Sequence, residues 1–314
     1  MRHKPQLVDL RFDLYGTRPR HITTGDNEVL WVTCASVGEV AALFNDGTVE
    51  HFPTDDAPDQ IARGTTTIWF TMPMIDSVGR IDPDGSIHTH KLPDGSTPSG
   101  LTTVGDDAWV TLKSTGELAK VSPNGQIEVL RPIVDGDSEP DNSLEVGGAE
   151  FIAADDGGSL WFARSGLGDI VRLDPDHTTD SWTSAECLEP LAIALDRDAA
   201  WITDAGSGGG IWRIGRNEKL LQRVEPWPTN VSSNIAADGN GGCWFTEGDE
   251  DLVAHIDTDA KLTEWDLSDY GERPRGIAVD KDEVAWVVLR TGGVVGLIAP
   301  TQAIDPDEPD YTVI

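Results

Sequence analysis

A Trp-centred phrase recurs seven times along this 314-residue chain, at intervals of 38 to 52 residues. Each copy sets a large aromatic side chain in a short apolar stretch, which is typical of a β-strand. A repeat of this length cannot bury both of its own faces, so the copies must stack on one another, and a ring of such units is a β-propeller. The sequence therefore predicts an all-β, seven-bladed β-propeller. The copies read LWVTC, IWFTM, AWVTL, LWFAR, AWITD, CWFTE and AWVVL, with the aromatic residue at Trp31, Trp69, Trp109, Trp161, Trp201, Trp244 and Trp286.

Three further strand phrases accompany each Trp strand and complete a four-stranded blade. An opening strand such as PRHITT precedes it, and a third strand such as VGRIDPDG and a fourth such as SIHTHKLP follow it. The seventh copy has no fourth strand after GLIAPTQ, but the alternating segment QLVDLRFDL near the N terminus can supply one. Closure of the ring by this N-terminal strand would remove open sheet edges. We expect residues 1–300 to form a single propeller and residues 301–314 to form an acidic tail.

The net charge of −32 restricts the partners of this protein. A nucleic-acid-binding face needs Lys and Arg to replace counterions, so we expect no nucleic-acid partner, and no anionic membrane partner for the same reason. The first residues, MRHKPQLVDLRFD, lack the apolar core of a secretory signal, and no stretch is long enough to span a bilayer. We therefore expect a cytoplasmic protein, and a monomer. Cys34, Cys187 and Cys243 have no metal-like spacing and are predicted to be buried thiols.

Charged residues are predicted to converge on one end of the central channel. The innermost strand of a blade lines the channel and the Trp strand runs antiparallel beside it, so the start of the first and the end of the second share one face of the disc. This face carries an acidic arc on blades four to six and a basic arc on blades one and seven. The acidic residues are Glu150, Asp204 and Glu247, and the basic residues are Arg20, Arg275 and Arg290.

Such a mouth fits a small-molecule or peptide ligand, and we predict roles for its residues accordingly. The predicted catalytic residues are Glu247, Asp204 and Arg275. The predicted substrate-binding residues are Arg20, Asp59, Glu150, Arg164, Arg273, Arg290 and Ser233. His21 is the one histidine expected to line the channel, and the insertion RPIVDGDSEPDNSLEVGG between blades three and four is a candidate lid or mobile flap. The alternative is a wet mouth in which ion pairs only tie the blades together.

The blade phrase, present here as PRGIAV, CWFTEG and VGRIDPDG, resembles the virginiamycin B lyase (streptogramin lyase) family from QLVDL to VVGLIAP. The resemblance implies a seven-bladed propeller and a magnesium-assisted enzyme that linearises a cyclic depsipeptide by elimination rather than hydrolysis. In that family, His follows Pro on the first strand of the last two blades. Two Glu hold magnesium, and the last His is the acid/base.

This chain departs from the family at each of those positions. Ser233 and Arg275 occupy the two His positions, and Arg273 and Arg290 occupy the two Glu positions. Because guanidinium groups are always charged and offer no acceptor, they would repel magnesium rather than bind it. The resemblance therefore implies the fold of the lyases without their metal ligands, and the cofactor is left open.

Three functions remain in competition on the sequence. The first is a lyase-related enzyme with a rebuilt site, in which Arg275 binds a substrate carboxylate or stabilises an enolate and Glu247 or Asp204 is the base. Its substrate is unidentified, with a cyclic peptide or an ester as candidates. The second is a non-catalytic propeller that binds a ligand or a protein. The third is a metal-dependent lactonase, which needs a carboxylate and Asn cluster; Asn234 is expected to face away from the channel by strand alternation.

Overall fold

The computed structural model describes residues 2–3, 7–14, 16–131, 149–184, 186–187, 189–206, 209–215, 222–225, 234–271 and 273–299. Within these ranges the chain forms seven antiparallel sheets of four strands, one of which gains a short fifth strand. Two short 3-10 helices, Asp26–Glu28 and Pro73–Ile75, lie in turns of blades one and two. Ser233, residues 132–148 of the insertion and the predicted tail 301–314 lie outside the described residues, so the proposed domain boundary stays a prediction.

The strands follow in chain order, four to a blade. β1 (Arg2–His3) and β2 (Leu7–Asp13) precede the first blade. Blade one contains β3 (Pro19–Thr24), β4 (Leu30–Cys34), β5 (Glu39–Leu43) and β6 (Val49–Pro53). Blade two contains β7 (Ile61–Arg63), β8 (Ile68–Met72), β9 (Ser77–Ile81) and β10 (Ile87–Lys91). Blade three contains β11 (Pro98–Val104), β12 (Asp107–Leu112), β13 (Glu117–Val121) and β14 (Ile127–Leu130).

The second half of the ring continues the same order. Blade four contains β15 (Ile152–Ala154), β16 (Leu160–Arg164), β17 (Asp169–Leu173) and β18 (Thr179–Thr183). Blade five contains β19 (Pro190–Leu195), β20 (Ala199–Asp204), β21 (Gly210–Gly215) and β22 (Gln222–Glu225). Blade six contains β23 (Ile235–Ala237), β24 (Cys243–Glu247), β25 (Leu252–Ile256) and β26 (Leu262–Asp266). Blade seven begins with β27 (Pro274–Val279), β28 (Val284–Leu289) and β29 (Gly293–Ile298).

The N-terminal segment closes the ring, as the sequence predicts. β2 pairs antiparallel with β29, from Leu7 opposite Leu297 to Asp13 opposite Gly293, and so becomes the fourth strand of blade seven. The innermost strands β27 and β3 contact each other where the two ends of the ring meet. The sequence does not predict β1, which pairs in parallel with β26 and adds a fifth strand to blade six. The seven-bladed propeller predicted from the Trp repeat is confirmed.

The repeated Trp packs each blade against the next. Trp69 of blade two shares an apolar cluster with Leu101 of blade three, and Trp244 of blade six shares one with Ile277 of blade seven. Both Trp side chains are fully buried. Because a large aromatic ring removes much apolar surface from water, one Trp per blade contributes a major part of each interface.

A cationic side chain lies over the Trp ring in four of the described blades. The charged group stands on the third strand directly opposite the Trp, 5.6 to 5.8 Å from the ring centroid. Such a cation–π contact stabilises the pair when it is shielded from water. This explains why the third strand repeats a basic residue in VGRI, LAKV, IVRL and IWRI. The four pairs are Trp69 with Arg80, Trp109 with Lys120, Trp161 with Arg172 and Trp201 with Arg213.

A repeated threonine near the end of the Trp strand holds the innermost strands in place. The Thr33 hydroxyl accepts a hydrogen bond from the His21 N–H at 3.0 Å and donates one to the carbonyl oxygen of Asp59 in the next blade at 2.6 Å. Thr246 makes the same bridge, from the Asn234 N–H to the carbonyl oxygen of Arg275. The hydroxyl therefore satisfies a backbone donor where the strand pairing is irregular and also links two blades.

Glycines in the first strands allow the blades to approach closely around the channel. A Cβ added to Gly276 would lie 2.6 Å from the Cα of His21, and one added to Gly100 would lie 2.8 Å from the carbonyl oxygen of Glu150. No side chain can occupy either point, so the Pro-x-Gly phrase of β11 and β27 reflects this packing. The same contact brings the start of β27 alongside the start of β3.

The three cysteines are buried free thiols, as predicted. Burial raises the pKa of the Cys34 thiol to about 11. Within the residues that the structure describes, no helix is long and apolar enough to cross a membrane.

Removal of one of these repeated threonine hydroxyls should measurably destabilise the protein. Thr111 is buried and accepts a hydrogen bond from the buried N–H of Gly100 at 2.8 Å. We expect Thr111→Val to lower the free energy of unfolding by about 1–3 kcal/mol, because the buried N–H of Gly100 loses the acceptor that the Thr111 hydroxyl provides. Urea unfolding of the whole chain measures this loss.

Thr111→Ser is the matched control, because it keeps the hydroxyl and removes only a methyl group. It should lose less stability than Thr111→Val. A Val variant as stable as the Ser variant would contradict the role given to the hydroxyl.

Candidate functional site

A cavity of about 250 Å³ opens at the channel mouth, where the innermost strands begin. Every blade contributes to its wall, most of them through residues at or just before the start of the first strand. The lining residues are Arg20, His21, Asp59, Gln60, Ser99, Glu150, Phe151, Leu191, Asn234, Gly248, Asp249, Arg273, Pro274 and Arg275.

Five of the residues predicted for the site line this cavity together. They come from four blades that are far apart in sequence, which supports the view of the mouth as a point of convergence. The five are Arg20, Asp59, Glu150, Arg273 and Arg275. Ser233 lies outside the described residues, although its neighbour Asn234 lines the wall.

Two of the acidic groups in the wall are already neutralised by basic neighbours. Arg20 Nη1 lies 2.9 Å from Asp59 Oδ1, which joins blades one and two. Lys113, at the end of the Trp strand of blade three, donates a hydrogen bond to the carboxylate of Glu150 in blade four. Part of the charge at the mouth therefore ties blades together, which is the alternative that the sequence left open.

The basic side of the mouth is not neutralised in the same way. Among the described residues, Arg273, Arg275 and Arg290 form no ion pair. Burial, and then the guanidinium groups of Arg290, Arg20 and Arg273, lower the pKa of Arg275. Arg290 stands behind the wall at the end of the last Trp strand, where its N–H bonds the carbonyl oxygen of Arg273 at 3.2 Å. The three side chains form a positive cluster, the blade-seven arginines, on one side of the cavity.

His21 lies beside the Arg20–Asp59 pair of blades one and two, and Arg275 of the positive cluster acts on its imidazole as well. Its side chain is 15% exposed, its Nε2 lies 3.9 Å from Asp59 Oδ1, and its ring centroid lies 6.1 Å from that of Phe151. Burial is the main cause that lowers the pKa of His21; Arg20 and Arg275 lower it further, whereas Asp59 opposes them. The imidazole is therefore neutral at neutral pH and able to accept a proton.

The structure does not bring Asp204 or Glu247 into the cavity. Asp204 is 0% exposed and Glu247 is 1% exposed. Asp204 Oδ1 accepts hydrogen bonds from the N–H groups of Glu189 and Gly206, both at 2.9 Å, and so shapes two loops of blade five. The physical reason is that the Trp strand lies one strand spacing, about 4.8 Å, behind the innermost strand, which covers the side chains at its end.

Arg164, on the same kind of position in blade four, is also held away from the wall. Its Nε and Nη2 donate to the two oxygens of Asp169, which faces it on the neighbouring strand. Both side chains are largely buried. A fork-to-fork pair of this kind stabilises the blade and occupies the donors that a substrate would need.

The described residues do not fit a magnesium site at the position that the resemblance implies. They contain no group of three or more His, Cys, Asp or Glu side chains that could hold a metal ion. The two implied ligand positions are Arg273 and Arg290, which belong to the positive cluster. A divalent cation there would be repelled, so no metal step is derived for this site.

Several wall residues were not predicted, and they share a position. Gln60, Phe151 and Asn234 each follow directly the residue chosen from the sequence, and so does His21, which the sequence does predict at the channel. Strict alternation would turn them away from the channel, which is what we expected of Asn234, and that expectation is wrong. In β3 the register shifts between Pro19 and Ile22, so alternation fails at this end of the strand. The Pro that opens the first strand is the signal that could have indicated it.

The titration of His21 should appear in the pH dependence of stability. Its pKa in the folded protein is lowered from 6.5, the value expected for the unfolded chain. In the window below about pH 6.5 the unfolded chain binds more protons than the folded protein, so stability falls as pH falls. We expect His21→Gln to lose less stability than the unsubstituted protein between about pH 7.5 and 5.5.

Urea unfolding at both pH values measures this difference, with His51→Gln as the control on an exposed histidine. Parallel loss of stability in the His21 variant and the unsubstituted protein would show that His21 is not the buried neutral group described.

Known proteins are similar to this chain in sequence and in architecture. The sequence model of the virginiamycin B lyase family matches residues 4–142 and 140–306. The virginiamycin B lyase of Nocardia farcinica is 29% identical over 222 residues, 69% of this chain and 72% of that protein. The structure of selenomethionine-substituted virginiamycin B lyase from Staphylococcus aureus matches with a TM-score of 0.81 at 20% identity, over 95% of this chain and 99% of that one.

A more distant match supports only the fold. The gluconolactonase XC5397 of Xanthomonas campestris has a TM-score of 0.60 at 12% identity, over 93% of this chain and 91% of that one. The family match, in contrast, covers nearly the whole sequence in two adjoining segments. The chain therefore belongs to the virginiamycin B lyase family.

Proposed function

We propose that this protein is a lyase-related enzyme that opens an ester-containing ligand, such as a cyclic peptide, in the cavity at the channel mouth. The observation that carries the proposal is the position of Arg275. It lines the cavity at the place where the family has its acid/base His, and it stands near the neutral imidazole of His21. Membership of the family supports an elimination rather than a hydrolysis.

The chemistry needs one base and one group that stabilises negative charge. The base removes a proton from the carbon next to a carbonyl group, and the C–H electron pair forms a carbon–carbon double bond. The bond between the next carbon and the ester oxygen breaks, and the oxygen leaves as a carboxylate. No water is consumed. Arg275 offers paired donors that match an enolate or a departing carboxylate, which takes over the charge stabilisation without a metal.

His21 is the base that this geometry favours. Asp204 and Glu247, the bases put forward from the sequence, are buried and would have to leave their positions to reach a ligand. His21 already lines the cavity, and its lowered pKa keeps it in the proton-accepting form at neutral pH. A neutral imidazole within reach of the substrate is a common general base.

A non-catalytic propeller that binds a ligand or a protein is the second candidate. It is favoured by the replacement of the family's residues at Arg273, Arg275 and Arg290, and by the pairing of Asp59 and Glu150 with basic neighbours. The lactonase hypothesis has a neighbour of similar fold, but the described residues provide no metal cluster for it. A monomeric state and a cytoplasmic location stay predictions.

Mass spectrometry of candidate substrates tests the proposed activity. The purified protein is incubated with a panel of cyclic depsipeptides, including a streptogramin B-type compound, and with acyl esters, in magnesium and in chelator. We expect a product of unchanged mass and shifted retention in at least one case, formed equally in both conditions. Arg275→Ala should lower the rate by about 100-fold, because the developing negative charge loses its donor.

Arg197→Ala is the control, because Arg197 is an exposed residue in the turn after β19, on the opposite face of the disc. A product formed only with magnesium would contradict the metal-free site, and a product heavier by one water would contradict elimination. Binding without turnover across the panel would favour the non-catalytic candidate.

A further inference from the structure

The blade-seven arginines gather three positive charges on one side of the cavity. The protein has 55 acidic and 23 basic side chains, so a basic group would be expected to find a carboxylate easily. Among the described residues, however, Arg273, Arg275 and Arg290 form no ion pair, and their mutual repulsion contributes to the lowered pKa of Arg275. Like charges held together beside a cavity repel each other, and an anion that binds between them reduces this repulsion.

The backbone that carries these side chains is held firmly in place. Arg273 adopts a left-handed conformation with φ of 58°, which is unfavourable for a residue other than glycine. Its N–H donates to Asp251 Oδ1 at 2.6 Å. The carbonyl oxygen of Arg275 accepts a hydrogen bond from Thr246 at 2.8 Å. The segment from Arg273 to Arg275 is thus strained at its first residue and held by a hydrogen bond at each end, and such strain is often found at functional sites, where a ligand meets donors that are already in position.

The rest of the wall restricts the kind of anion. Asp59 and Glu150 are paired with Arg20 and Lys113, but Asp249 adds a further negative charge to the wall on blade six, which disfavours a ligand with two or more negative charges. Phe151 and Leu191 add apolar surface to the wall. A cavity of about 250 Å³ is smaller than the pockets that hold drug-sized ligands, so only a small ligand or one end of a larger one fits inside.

We propose that Arg273 and Arg275 form a binding site for the carboxylate of a small organic acid whose apolar group packs on Phe151 and Leu191. A carboxylate carries one negative charge and matches the paired donors of a guanidinium group. The inference rests on the proposed function because it names the ligand class of the same cavity. It requires only that the ligand binds, not that it is turned over. The ligand is either a free acid or the acidic end of the product that elimination releases.

Binding of phenylacetate to the full chain, compared with binding of neutral phenylacetamide, tests the proposal. The two probes have the same shape and differ in charge. Isothermal titration calorimetry should show phenylacetate binding at least about tenfold more tightly. Arg273→Gln and Arg275→Gln should each weaken it by about 10-fold to 100-fold, because a charge-assisted hydrogen bond is lost. Arg275→Lys should recover only part of the affinity, because Lys keeps the charge without the fork.

Arg197→Gln is the matched control, since it removes the same charge from an exposed position on the opposite face. It should bind phenylacetate as the unsubstituted protein does. NMR titration of the His21 imidazole gives a second readout, and the His21 signal is assigned by its loss in the His21→Gln variant. Its pKa should rise when phenylacetate is bound, because Asp59, Arg20 and Arg275 are then joined by a further negative charge. Unfolding midpoints of all variants establish that they remain folded.

Equal affinity for phenylacetate and phenylacetamide would overturn the proposal, as would Arg275→Gln behaving like Arg197→Gln. Displacement of phenylacetate by phosphate or sulfate at lower concentration than by acetate would reject the carboxylate and assign another oxyanion. Carboxylate binding without turnover would support this inference and count against the proposed enzyme. Turnover of an ester with no carboxylate binding would support the proposed enzyme and overturn this inference.

Discussion

The arrangement of the mouth depends on the hydrogen bonds that the hydroxyl of the repeated threonine makes. At the point where the first strand leaves regular pairing, its N–H would otherwise be buried without an acceptor, and the threonine supplies one. In blades one and six the same hydroxyl also reaches the carbonyl oxygen of the next innermost strand, at Asp59 and Arg275. Each of these carbonyls belongs to a residue of the cavity wall. A contact that satisfies the fold therefore also sets the position of charged groups that face the ligand.

The distribution of charge at the mouth follows from this placement. Arg20 and Lys113 meet carboxylates from the neighbouring blade and join the blades together. On blade seven the charged wall residues are Arg273 and Arg275, and Arg290 follows the end of the Trp strand behind them, so arginines stand where acidic partners would be needed to neutralise the charge. The mouth is consequently polarised within a chain that is acidic overall. The family resemblance implies magnesium-binding carboxylates at the positions of Arg273 and Arg290, so the sign of the charge at this point is reversed in this chain.

The sequence predicts most of the fold because one repeat determines it. The Trp phrase indicates the number of blades, and the missing fourth strand of the last repeat indicates closure by Leu7–Asp13, which the pairing with β29 confirms. β1 is too short to have a periodic pattern of its own, so the sequence did not indicate it. The site was less predictable. The strand end alone predicts Asp204 and Glu247 at the mouth because it takes no account of the first strand that covers them. The sequence does predict His21 at the channel, whereas strict alternation turns Asn234 away from it because the register is irregular there.

The polarised mouth also has a consequence for how the ring stays closed. Arg273 and Arg275 stand on the last blade and His21 on the first, at the seam where non-covalent contacts, among them the pairing of β2 with β29 and the packing of β27 on β3, hold the two ends of the ring together. A ligand that contacted both sides of this seam would hold the first and last blades together. It would bind only the closed ring, and by mass action it would shift the balance away from any form with the first and last blades parted. Binding of such a ligand and closure of the ring would then be thermodynamically coupled.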